Sequence, residues 1–83
     1  MPTPTSATIL IIDDAAENLH VLSALLRPLY RVLAATSGER GLRVAASTPK
    51  PDLVLLDVVM EGMDGYEVLA KLRENPEIGR AHV

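Results

Sequence analysis

Two apolar runs that stop abruptly on acids constrain this chain more than any other feature. Residues 7–12 lead into Asp13-Asp14, and residues 53–56, Leu-Val-Leu-Leu, lead into Asp57. A run that is apolar at successive positions, rather than at alternate ones, suits a strand buried on both faces. That is the situation of a parallel sheet covered by helices on each side. Aromatic residues are nearly absent, with two Tyr and no Phe or Trp, so the core must be built from Leu, Val, Ile and Ala.

The segments between these runs read as helices and one further strand. Asp14-Ala-Ala-Glu17 has the form of a capping box, so a helix is expected to begin there. Leu19, Leu22, Leu26 and Leu29, joined by Leu25, recur at helical spacing, and Pro28 marks the helix end. Residues 30–35 read as a second strand. Ser37 then caps a helix through Ala46, with Leu42, Ala45 and Ala46 inward and Gly41 costing about 1 kcal/mol against Ala. Residues 48–51, Thr-Pro-Lys-Pro, form a stiff turn before a third strand over 52–56. A loop with Gly62 and Gly65 follows, Asp64 is placed to cap a third helix with Val68, Leu69 and Leu72 inward, and Asn75-Pro76 ends it.

The order β-α-β-α-β-α implies a parallel sheet with right-handed crossovers. A β-α unit takes about 24 residues, so a five-unit doubly wound domain needs roughly 120. With 83 residues the chain is expected to be truncated after the third β-α unit, stopping at His82-Val83, where a fourth strand would begin. Residues 1–6, rich in Pro and Thr, read as a flexible lead-in.

In open parallel sheets, ligands sit beyond the carboxyl ends of the strands. If the first and third strands are neighbours, Asp13, Asp14 and Asp57 meet in one crevice. Three carboxylates so close call for a positive partner. A hard, oxygen-liganded cation serves, and Mg²⁺ suits because it keeps several waters and leaves room for phosphate oxygens. A carboxylate can itself act as a nucleophile and carry a phosphoryl group. Each acid also has a plainer reading: an isolated Asp14 is a helix cap, an isolated Asp57 a turn residue, and Asp64 a cap. The combination of an Asp pair after one buried strand and a lone Asp after another favours a site. His20, on the outer face of the first helix, and His82, near a frayed end, do not look catalytic.

The net charge of −3 gives no sign of direct nucleic-acid binding. The absence of Cys excludes a disulfide framework and Cys-based zinc sites. The apolar run after the first strand begins is too short for a signal peptide or a membrane span, so no membrane binding and a cytoplasmic location are expected.

At these residues the chain resembles the receiver domain of two-component response regulators. The matching stretches are Ile9-Leu-Ile-Ile-Asp-Asp14 with Asn18, residues 35–38, and Pro51-Asp-Leu-Val-Leu-Leu-Asp57-Val-Val-Met60 leading to Met63-Asp-Gly65. The resemblance implies a flavodoxin-like, doubly wound parallel sheet with strand order 2-1-3, and makes residues 7–83 an incomplete receiver domain. It implies Asp57 as phosphoacceptor, supplied by a sensor histidine kinase or phosphotransfer protein in a phosphorelay. Asp14, Asp57 and the Val59 backbone carbonyl would then bind Mg²⁺ directly, and Asp13 through water. The family usually has Pro after the Met60 position, where this chain has Glu61. Its switch hydroxyl and its Lys belong to the fourth and fifth strands.

Such a module catalyses its own phosphorylation and dephosphorylation and is a signalling domain rather than an enzyme. Two alternatives differ in class. An aspartyl-phosphate hydrolase usually has a second Asp two residues after the nucleophile, where this chain has Val59. A non-phosphorylated interaction domain has no need of the acidic trio. A dinucleotide-binding domain lacks support because no Gly-rich turn follows the first strand. With strand order 2-1-3, the third strand is expected to be a bare edge and to promote self-association.

Overall fold

A computed structural model describes residues 7–47, 50–57, 65–75 and 80–82. They form, in order, β1 (Thr8–Ile12), α1 (Ala16–Leu26), β2 (Arg31–Ala35), α2 (Gly38–Ala46), β3 (Leu53–Leu56), α3 (Gly65–Arg73) and β4 (Arg80–His82). The four strands make one sheet in the order β2-β1-β3-β4, and every pairing is parallel. The 2-1-3 order implied by the family resemblance is present within it.

The apolar runs behave as expected of a central parallel strand. All five residues of β1 are buried, and alternate side chains serve opposite faces. Leu10 and Ile12 join Val54, Leu56, Ala45, Val68, Leu69 and Leu72 in the larger core cluster, beneath α2 and α3. Ile9 and Ile11 join Leu19 of α1, with Leu22, Leu26, Val32, Leu53 and Leu55 packed around them. The architecture is therefore three-layered, with two helices on one face and one on the other. Leu53 and Leu55 are only half-buried, whereas Val54 and Leu56 are buried, which follows from the single helix on their side.

β4 corrects the expectation of a bare third strand. Leu53, Val54 and Leu55 pair with Arg80, Ala81 and His82, so β3 has a neighbour on each side. The edge on which third-strand self-association was to rest is covered. His82, expected near a frayed end, is the last residue of that strand.

α1 departs from its expected pattern at both ends. Asp14 does not cap it: the N-cap is Ala15, which makes no side-chain capping bond, and Asp14 is exposed. Leu19 is buried and Leu22 and Leu26 half-buried, but Leu25 is 66% and Leu29 58% exposed. Leu25 lies roughly 90° around the helix from the centre of the arc formed by Leu19, Leu22 and Leu26. Leu29 falls beyond the helix, where the chain has already turned. In α2 the Ser37 cap forms as expected, its Oγ accepting from the Arg40 N–H at 3.2 Å. Ala45 faces inward and Leu42 is half-buried, but Ala46, expected inward, is exposed. Val68, Leu69 and Leu72 of α3 are buried, as their spacing indicated. The Asp64 cap, residues 48 and 49 of the 48–51 turn and the Pro76 stop lie outside the described residues.

The amino end of the sheet is closed by a side chain. The Thr8 N–H donates to Asp52 Oδ2 at 2.7 Å, and the Asp52 N–H donates to the Thr8 carbonyl at 2.8 Å. Thr8 is 2% exposed, so water cannot easily replace the carboxylate. Asp52→Ala is expected to cost about 1–3 kcal/mol in urea unfolding, the penalty of a buried donor left without its partner. Asp52→Asn, which keeps an acceptor, should cost less than half of that. No loss of stability in Asp52→Ala would show that the bond contributes nothing.

Candidate functional site

The site is set by sheet register. Ile12 stands opposite Leu56, so the next residues on the two strands, Asp13 and Asp57, emerge side by side. Neighbouring strands are about 4.8 Å apart, which brings the two acids together without any further adjustment. Parity settles the face. Asp13 continues the series Ile9, Ile11, and Asp57 continues Leu53, Leu55, so both acids lie on the α1 side. A slip of one residue in either strand would put them on opposite faces.

Backbone bonds extend the ladder through the site. The Asp57 N–H donates to the Ile12 carbonyl at 2.9 Å, and the Asp13 N–H donates to the Ala35 carbonyl at 3.1 Å. The acids are thus mounted on the end of the sheet itself. Asp13 is buried, at 8% exposure, while Asp57 is half-buried and Asp14 exposed. One carboxylate oxygen from each of Asp13, Asp14 and Asp57 lies within 4.8 Å of the other two. The three acids singled out in the sequence do come together.

Asp13 does the work at the helix entrance that was expected of Asp14. Its Oδ1 accepts from the Ala15 N–H at 2.9 Å, and its Oδ2 accepts from Asn18 Nδ2 at 3.2 Å. The first of these is a local Asx-type turn, which fixes how the chain leaves β1 and enters α1. Asn18 is the residue whose part the sequence did not reveal. It stands in the family-matching stretch, and its place in the first turn of α1, five residues after Asp13, puts its amide within reach.

Asp13, Asn18, Leu22, Leu55 and Asp57 line an open cavity of about 300 Å³ on the α1 face. The donor set at its upper end is all carboxylate oxygen. That selects hard cations of the Mg²⁺ and Ca²⁺ type over softer metals. Two oxygens on opposite sides of an octahedral Mg²⁺ are about 4.2 Å apart, so a 4.8 Å spread closes onto one ion with a small movement or an intervening water. The residues present fit the cation. Val59 and Glu61 lie outside the described residues.

Comparison with known proteins agrees with this geometry. A family model described as response regulator receiver domain matches residues 9–81. A probable cyclic di-GMP phosphodiesterase of Vibrio cholerae is 46% identical over 72 residues, covering 87% of this chain and 16% of that protein. The response regulator PleD of Caulobacter vibrioides is 44% identical over 72 residues, covering 86% of this chain and 16% of its own. The crystal structure of the N-terminal domain of a response regulator receiver protein from Methanoculleus marisnigri JR1 superimposes with a TM-score of 0.79 at 43% identity. That match covers 88% of this chain and 59% of the solved one. The chain therefore spans about a sixth of the length of these two relatives and about three-fifths of the solved chain. The family match begins in β1, which leads to Asp13, and runs past Asp57 into β4; the chain belongs to the response regulator receiver domain family.

Proposed function

We propose that Asp57 accepts a phosphoryl group from a phosphohistidine on a sensor histidine kinase or phosphotransfer protein, with Mg²⁺ held by Asp13, Asp14 and Asp57. The observation that carries this reading is the meeting of three carboxylates within 4.8 Å at the carboxyl ends of β1 and β3. Receiver domains in general bind Mg²⁺ through acidic residues and work with such phosphoryl donors. By family resemblance the Val59 backbone carbonyl completes the protein ligands, and Asp13 acts through water.

A carboxylate oxygen of Asp57 attacks phosphorus. The phosphorus–nitrogen bond breaks, its electron pair returns to the imidazole, and Asp57 is left as an acyl phosphate. Mg²⁺, when bound, supplies the positive charge that lets a carboxylate and an anionic phosphoryl group approach each other. Such transfer is mostly positioning and charge stabilisation, so few other side chains are needed. Asp57 meets the positioning demand because the Asp57 N–H continues the β1–β3 ladder.

Residues 7–83 on this reading are part of a receiver domain, a signalling module of a phosphorelay that promotes its own phosphorylation and dephosphorylation. Among the described residues no helix is long and apolar enough to cross a membrane. We place the domain in the cytoplasm, where its phosphoryl donors would be. The test is incubation with acetyl phosphate and Mg²⁺, followed by mapping of the modified residue. One phosphoryl group on Asp57, lost when Mg²⁺ is chelated, is the expected result. Modification at another residue, or at the same rate with chelator, would overturn the assignment.

A further inference from the structure

We infer that Asn18 is a positioning residue for the acidic site, its side-chain amide fixing the Asp13 carboxylate beside Asp14 and Asp57. The inference rests on the cation-binding reading given above and extends it to a residue outside the acidic trio. A carboxylate has a soft terminal torsion, and nothing in β1 itself fixes the Asp13 plane. Two donors do so. One is the Ala15 N–H on Oδ1 at 2.9 Å, which is in place whenever α1 forms. The other is Asn18 Nδ2 on Oδ2 at 3.2 Å. With one donor on each oxygen, the plane of the carboxylate is set from both sides.

The chemistry of the second donor matters as much as its place. A Lys or Arg at the same position would hold Asp13 just as firmly, but its charge would cancel part of the attraction for a cation. An amide orients the carboxylate and leaves its charge available. Asn18 is also well placed for a purely local effect. It lines the 300 Å³ cavity that Asp13 and Asp57 share, and a second cavity of about 270 Å³ bounded by Asp13, Val21 and Leu22. Its own side chain is exposed, so replacing it should leave the core intact.

The experiment titrates the full chain with Mg²⁺ alone, following backbone amide shifts, and measures thermal unfolding of each variant in chelator. Asn18→Leu, similar in size and without a donor, is expected to weaken Mg²⁺ binding about fivefold, the scale of one partly exposed hydrogen bond to a carboxylate. Asn18→Ala should match it. Unfolding temperatures without cation should stay close to that of the parent chain, which separates positioning from general destabilisation. If Asp14→Ala weakens Mg²⁺ binding while both Asn18 variants bind as the parent does, the role of Asn18 is wrong and the site stands. If Asp14→Ala also leaves binding unchanged, the acidic trio is not the cation site and both readings fall.

Discussion

Asp57→Asn is expected to reduce phosphoryl acceptance from acetyl phosphate by about a thousandfold or more, because the substitution removes the nucleophile and leaves its surroundings in place. Asn has nearly the shape of Asp, so the strand end, the bond from the residue 57 N–H to the Ile12 carbonyl and the neighbouring Asp13 should be undisturbed. The same variant should move stability in the opposite direction to most substitutions. Three carboxylates within 4.8 Å repel one another. Near the surface, each pair is worth about 1–3 kcal/mol by Coulomb's law. Neutralising one member should therefore raise the unfolding free energy by ~1 kcal/mol in chelator, and the gain should shrink as Mg²⁺ is added to the parent chain. Chemical unfolding with and without Mg²⁺ measures both effects. A variant still phosphorylated at the parent's rate would remove Asp57 from the mechanism. A variant destabilised in chelator would show that the trio is not under charge strain.

Much of this site was legible in the sequence because its two determinants are local. Ile9-Leu-Ile-Ile12 and Leu53-Val-Leu-Leu56 read as strands apolar on both faces, and each hands directly to an acid; β1 is buried throughout, whereas Leu53 and Leu55 of β3 stay half-buried. What remained hidden depends on geometry that side-chain pattern does not encode. β4 is three residues long and carries no apolar run. Unit spacing puts the start of a fourth strand at His82-Val83, but β4 begins at Arg80 and is held by backbone pairing to Leu53, Val54 and Leu55, which periodicity does not encode. Asp13 and Asp14 are adjacent acids, and either satisfies the rule for a helix entrance. Only the path of the chain shows that Asp13 turns back to the Ala15 N–H while Asp14 faces solvent. Leu25 and Leu29 stand at helical spacing with Leu19, Leu22 and Leu26, a pattern that does not tell how wide an arc the sheet covers. In the structure α1 ends at Leu26 and the sheet covers a narrower arc.

Gly41 shows the same divide between propensity and packing, and here the two make opposite predictions. Helix propensity alone says that any ordinary residue in place of Gly41 should stabilise α2 by about 0.5–1 kcal/mol. The packing says otherwise. A Cβ built on Gly41 would run into Ile12 Cδ1, and would lie 2.7 Å from its Cγ1 and 3.2 Å from its Cγ2. Ile12 is fully buried, so it has no solvent side to retreat to. Ala is the borderline case: the Ile12 side chain can twist away from its rotamer at about 0.5–1.5 kcal/mol, which roughly offsets the propensity gain. Leu is not borderline. Its added carbons must displace either α2 or the end of β1, and overpacking of that kind costs about 1–3 kcal/mol, occasionally more. We expect Gly41→Leu to lose about 3 kcal/mol, a large part of the ~4–12 kcal/mol that a chain of this size commands. Its unfolding temperature should fall by roughly 12–24 °C. Because Ile12 directly precedes Asp13, the damage should also reach the site, and Mg²⁺ binding should weaken in whatever fraction remains folded. Trimming the obstacle tests the cause: Gly41→Leu with Ile12→Ala should cost less than the two single changes added together. An unfolding temperature for Gly41→Leu at or above that of the parent chain would mean that propensity prevails and that α2 is not seated on Ile12.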